Sequence, residues 1–178
     1  MSETTAALKL PRTIRLDPSD SLVFEAAAAP GEWAVPGGFA FWQEAPEAMA
    51  GKRRQAFRAG WLGLASFGWS TLVEAALASP AEAAAAESAL ARHILAAYGA
   101  PDLAAARAAA AEELAFAAEL CADHPPGTAL ALSRSLEGGE LRERFRSLHR
   151  REAAPVFALV EAEDAPAEAV DLRSLPDA

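Results

Sequence analysis

Apolar and polar positions alternate across residues 8–16, with Leu8, Leu10, Ile14 and Leu16 apolar. A period of two predicts a strand. Pro11 has no amide hydrogen for a ladder bond, so the strand belongs at an edge or is bent. Asp17-Pro18-Ser19-Asp20 is a turn, and residues 22–24 continue as a second strand, in a hairpin with the first. Pro30-Gly31 opens another turn. Residues 32–35 and 39–42 flank Pro36-Gly37-Gly38, which predicts a second hairpin or a sharp bend. Residues 46–59 predict a short helix weakened at its centre by Gly51. Residues 61–67 and 70–77 are two apolar, strand-like runs broken at Gly68.

The period then changes. Ser79-Pro80-Ala81-Glu82 has the form of a capping box with proline at the first helical position. The helix it starts runs to Tyr98, and Gly99 supplies a left-handed stop. Pro101 starts a second helix that ends near Asp123, before Pro125-Pro126-Gly127. So short a linker makes the two an antiparallel hairpin. On the first helix Leu90, Ala91, Ile94 and Tyr98 share a stripe that also contains Glu87. On the second, Leu103, Ala106, Ala110, Leu114, Ala117 and Cys121 share one, widened by Phe116 and Leu120, with Glu113 inside the arc. Residues 128–135 alternate as a strand, Gly138-Gly139 breaks it, and residues 140–150 predict a helix with Leu141, Phe145 and Leu148 on one face. Residues 155–161 predict a last strand.

Strands and helices follow one another without regular βαβ alternation, which predicts an α+β fold. Its expected form is a mostly antiparallel sheet packed against the alanine-rich helical hairpin and a shorter C-terminal helix. Residues 8–163 are expected to form one domain, between a disordered tail at 1–7 and a loose acidic tail at 164–178. Alanine dominates the chain, so the core must rest on its larger residues and on close helix approach. A net charge of −9 and a pI of about 4.8 disfavour nucleic acid and anionic membrane surfaces as partners. Cys121 is the single cysteine, which excludes an intrachain disulfide. No signal-like segment and no apolar run of roughly 18 residues is present, which makes the cytoplasm the expected compartment.

The large rings are concentrated. All four tryptophans fall between Trp33 and Trp69, with Phe39, Phe41, Phe57 and Phe67 among them. Such a block is a core, a subunit interface or a ligand pocket, since pockets are apolar, aromatic-lined and carry few polar groups. As a pocket it would comprise Trp61, Ser66, Phe67, Trp69 and Ser70, with Gly63 and Gly68 allowing close backbone approach. Glu87 and Glu113 lie about equally far from the hairpin turn, so they would face one another as an acid–base pair or as boundary carboxylates. The Glu-x-x-His pattern of carboxylate-bridged metal bundles is missing from both helices, and His93, His124 and His149 have no metal-ligand spacing. No metal or other cofactor is expected. His93 projects to the polar side of its helix. Leu64 stands where a G-x-S-x-G elbow around Ser66 needs glycine. Two basic clusters, Lys52/Arg53/Arg54/Arg58 and Arg142/Arg144/Arg146/Arg150/Arg151, read as solvated faces or as anion or partner sites, with Glu140 able to pair with Arg144 along the last helix.

The segments LPRTIRLDPSDSLVFEAAAAPGEWAVPGGFAF and ASFGWSTLVE resemble a family of small conserved hypothetical proteins from proteobacteria, chiefly over residues 10–75. The resemblance implies a bacterial cytosolic protein and assigns no residue a role. The leading expectation is a non-enzymatic binding or accessory protein, a homodimer, with a small apolar or aromatic molecule as its ligand. The alternatives are a small enzyme using Glu87 and Glu113, and a purely structural assembly with the tryptophans between subunits.

Overall fold

The computed structural model describes residues 7–148 and has an α+β fold. Strand β1 (Lys9–Ile14) is the edge strand that Pro11 requires. It is followed by α1 (Asp20–Val23), β2 (Ala34–Val35), α2 (Gly51–Ala59), β3 (Trp61–Gly63), β4 (Trp69–Ser70) and β5 (Leu72–Leu77). The helices α3 (Pro80–Ala97) and α4 (Leu103–Ala122) come next, then β6 (Ala129–Glu137) and β7 (Glu140–Leu148). Two antiparallel sheets result, one ordered β1-β5-β6-β7 and a smaller one ordered β2-β3-β4. A bridge between Arg12 and Trp33 joins them.

The first half departs from the sequence reading in three places. Residues 20–23 form one helical turn rather than a second strand. Asp17 Oδ1 accepts the Ser19 amide (2.8 Å), and Asp20 accepts the Thr71 hydroxyl (2.6 Å) and amide (3.2 Å), so side-chain acceptors curl the chain there. Of the two forms expected at Pro36-Gly37-Gly38, the chain takes the sharp bend, which leads into a 3₁₀ turn at Gly38–Phe41. Gly51 opens α2 instead of weakening its centre. The run from Trp61 stops pairing at Gly63, because the buried Glu32 carboxylate takes the amides of Ala65 (3.1 Å) and Ser66 (2.9 Å) and folds residues 64–67 into a turn.

The helical hairpin follows its sequence signals. Ser79 Oγ accepts the Glu82 amide (3.2 Å), while the Glu82 carboxylate accepts the Ser79 amide (2.8 Å). Gly99 is left-handed at φ 72°, and α4 starts at Leu103, two residues after Pro101, where Asp102 Oδ1 accepts the Ala105 amide (2.8 Å). Leu90, Ala91 and Ile94 are buried on α3, and Ala106, Ala110, Leu114, Ala117 and Cys121 on α4. Leu103 and Phe116 at the margins of that stripe are exposed. Lys9 Nζ donates to the carbonyl oxygens of Ala122 and His124, both at 2.6 Å, and so caps the end of α4 from the first strand.

The C-terminal helix is not formed. Residues 140–148 are β7, paired along their whole length with β6. Gly138 (φ 60°) and Gly139 (φ 83°) make the two-residue hairpin turn that needs positive φ at both central positions. Glu140 consequently pairs with Arg142 (3.5 Å), and Arg144 pairs with Glu137 (2.8 Å) rather than with Glu140. The strand expected at 155–161, residues 1–6 of the tail expected at 1–7 and the tail at 164–178 lie outside the described residues, as do Arg150 and Arg151.

Burial divides into two clusters. The larger packs α3 and α4 on Leu10, Phe24, Val35, Phe41, Phe57, Leu62 and Trp69. The smaller surrounds Trp61 with Ala34, Val73, Ala75, Cys121, Leu130 and Leu132. Fully burying a side chain such as Leu90 or Val73 stabilises by about 1.5–3 kcal/mol. Among the described residues no helix is long and apolar enough to cross a membrane.

Candidate functional site

The five residues expected to form an aromatic pocket have distinct surroundings. Trp61 is fully enclosed in the smaller cluster, 5.7 Å from the Phe145 ring. Trp69 lies in the larger cluster, tilted against Phe41 at 5.0 Å. Ser70 is buried and donates to the Leu72 carbonyl (2.8 Å). Ser66 is exposed in the turn held by Glu32, and its Oγ accepts the Gly68 amide (3.1 Å). Phe67 is half-buried with a left-handed backbone (φ 54°), and its ring stacks on His93 at 3.7 Å. His93 is therefore half-covered by the Phe67 ring, and burial holds its pKa below the ordinary value. The close approach expected at Gly68 is made by the protein's own backbone, since a Cβ there would lie 2.7 Å from Ala27 and Ala28.

A cavity of about 480 Å³ lies elsewhere, at the turn end of the helical hairpin. One wall is α4. Ala105 and Ala109, then Glu112, Glu113 and Phe116, recur at helical spacing, and the two alanines leave the room that larger side chains would fill. Ile94 and Tyr98 at the end of α3 supply a second wall. The third comes from the bend after β2, where the 3₁₀ turn delivers Phe39 and Trp42. Phe39 meets Tyr98 edge-to-face at 5.2 Å, and Trp42 is 71 % exposed at the rim.

Glu113 ties these walls together. Its Oε1 accepts the Gly37 amide at 2.9 Å. Gly37 is left-handed (φ 74°), and a Cβ there would lie 2.7 Å from Leu62 Cβ, so no other residue fits the bend. The Pro36 carbonyl, on the same peptide unit, accepts from the Arg134 guanidinium. Alternation along β6 places Arg134 on the core side with Leu130 and Leu132, fully enclosed. Its Nε donates to Glu143 (2.7 Å), and its Nη1 donates to the carbonyls of Gly60 (2.9 Å) and Phe57 (3.2 Å), closing the end of α2.

Burial pushes the Glu113 carboxyl above the ordinary range. The Gly37 amide pulls it down, Glu143 pushes it up further and Arg134 pulls it down. The charged groups acting on Glu113 are thus Glu143 and Arg134. Glu87 is half-buried on α3 and does not line the cavity. Tyr98 is also raised, by burial first, with Arg53 lowering and Glu44 raising it. Burial lifts the Cys121 thiol to about 11, so it is protonated at neutral pH. Among the described residues no group of three or more His, Cys, Asp or Glu side chains could hold a metal.

Sequence reasoning placed Tyr98, Phe116 and Glu113 on inward helical stripes but missed their partners Phe39 and Trp42, which reach the site through the bend at Gly37. The parity of Leu130, Leu132 and Arg134 was the available signal for the inward arginine. No curated protein and no solved structure matches the chain. A family model matches residues 8–165, and the protein belongs to that family, a family of unknown function designated DUF6505.

Proposed function

We propose that this is a non-enzymatic binding protein of the bacterial cytoplasm that takes a small apolar or aromatic molecule into the cavity beside Glu113. One observation carries the reading: a space of about 480 Å³, walled by Phe39, Trp42, Tyr98 and Phe116, with Glu112 and Glu113 as its charged side chains. Size, aromatic walls and few polar groups are the usual attributes of a ligand site. Trp42 is the tryptophan among the lining residues, so its emission is the reporter. Titration with small aromatic compounds should shift the tryptophan fluorescence, and Trp42→Phe should abolish the shift. Emission unmoved by every compound would overturn the reading.

The raised carboxyl of Glu113 favours a second reading, a small enzyme with Glu113 as general acid or base. Glu87 contributes no cavity wall and is not its partner in that reading. Here Glu113→Gln would abolish a turnover found by screening; an unchanged rate would dismiss it. A homodimer belongs to the proposal as well. Leu16 and Leu22, 78 % and 74 % exposed on either side of the Asp17–Asp20 turn, are the surface it would use. Sedimentation of Leu22→Asp should show monomer if they do.

A further inference from the structure

The charges around the cavity narrow what it would hold. Two guanidinium groups act on this corner, and each already has its own carboxylate. Arg134 is paired with Glu143 at 2.7 Å, and Arg53 is paired with Glu44 while lying 4.4 Å over the Phe41 ring. Glu112 and Glu113 have no ion-pair partner among the described residues. Glu113 receives one hydrogen bond, from Gly37, and Glu112 is exposed on the next position of α4. Two uncompensated carboxylates therefore border a space whose remaining walls are apolar or aromatic.

Aromatic faces carry negative charge density and attract cations, most strongly where water is partly excluded. Phe39, Tyr98 and Phe116 are ring walls, and Trp42 offers a largely exposed indole at the rim. An anionic ligand would meet Glu112 and Glu113 without a free guanidinium to receive it. A neutral ligand would leave Glu113 in a half-buried site with no ion-pair partner of its own, where burial already pushes its carboxyl up. An ammonium group removes that cost and gains the rings.

Resting on the cavity as the binding site, we propose that the ligand is a small organic cation, an ammonium group carried on an apolar or aromatic body, with the charge between Glu112 and Glu113 and the body against Phe39, Tyr98 and Phe116. Glu113 is the selecting residue. The bend at Gly37 fixes it in place through the Gly37 amide.

The test uses the full chain and two probes of one shape, benzyltrimethylammonium and its uncharged carbon isostere neopentylbenzene, read by Trp42 emission and by calorimetry. The cation should bind about tenfold more tightly than the isostere. Glu113→Gln keeps an oxygen for the Gly37 amide and should remove most of that preference, while Glu112→Gln, at an exposed position, should remove part of it. Because the probe's charge is permanent, its affinity should fall on acidification as Glu113 protonates, with Glu112, Glu143, Arg134, Tyr98 and the Arg53–Glu44 pair as the other charged groups or titratable side chains facing the site. Equal binding of the two probes, unchanged in both variants, overturns the cation assignment and leaves the cavity reading standing. Failure of both probes, with Trp42 emission unmoved, overturns both.

Discussion

Arg134 and Glu113 hold opposite ends of one peptide unit. The guanidinium donates to the Pro36 carbonyl, and the carboxylate accepts the Gly37 amide at 2.9 Å. A bend between two elements is thus fixed by side chains from two others, β6 and α4. Replacing Arg134 by Met leaves the carbonyls of Pro36, Phe57 and Gly60 without their donor in the interior. The expected loss is about 3–5 kcal/mol, read from urea unfolding midpoints. A loss below about 1 kcal/mol would mean that water replaces the guanidinium.

Glu113 makes stability depend on pH in a defined direction. Its folded pKa is raised, so the folded chain binds the proton more strongly than the unfolded chain. Its favourable contribution is complete below the ordinary glutamate pKa and is lost as pH rises through the folded value. Glu113→Gln should therefore melt higher than the parent at pH 7, and the gain should shrink toward pH 4. A gain that grew with acidity would contradict the assignment.

Glu32 works the other way. Burial pushes its carboxyl up, but the hydrogen bonds from Ser66, Ala29 and Ala65 outweigh that and leave it lowered. The stability it contributes is present above the ordinary glutamate pKa and lost as pH falls through the folded value. Glu32→Ala leaves the amides of Ala29, Ala65 and Ser66 without their acceptor. About 2–4 kcal/mol should be lost at neutral pH, with the Ala65–Phe67 amides exchanging faster in hydrogen-exchange measurements.

Ala109 is exposed and borders the cavity on α4. Ala109→Phe should fill the space and block ligand uptake while changing stability by no more than about 0.5 kcal/mol, because the position is outside the core. Binding that survives the substitution would place the ligand elsewhere.

The helical hairpin was legible because its signals are local. Ser79, Pro80 and Glu82 open α3, Gly99 ends it, and the stripes on both helices are read by counting residues. The strand at 129–137 was legible from alternation. β7 was misread because Leu141, Phe145 and Leu148 also fit a helical face, although the two glycines before them specify a hairpin. The turn at α1 was misread because three apolar residues in a row have no period, and the groups that shape it include Thr71, far along the chain. Equal distance from the hairpin turn put Glu87 and Glu113 at one height, but height does not fix which wall each carboxylate joins. The cavity is set by the bend at Gly37 meeting α4, a contact between residues 37 and 113 that no local pattern encodes.

The alanines of α4 carry a last consequence. Ala106, Ala110 and Ala117 have no exposed surface at all. At these sites the fold limits size from above: any side chain longer than a methyl group would force α4 away from its neighbours. Drift across the family can therefore exchange alanine only for glycine here, at about 1 kcal/mol of helix propensity, whereas a gain in hydrophobicity, harmless in most cores, would pry the hairpin loose and displace Glu113 with it.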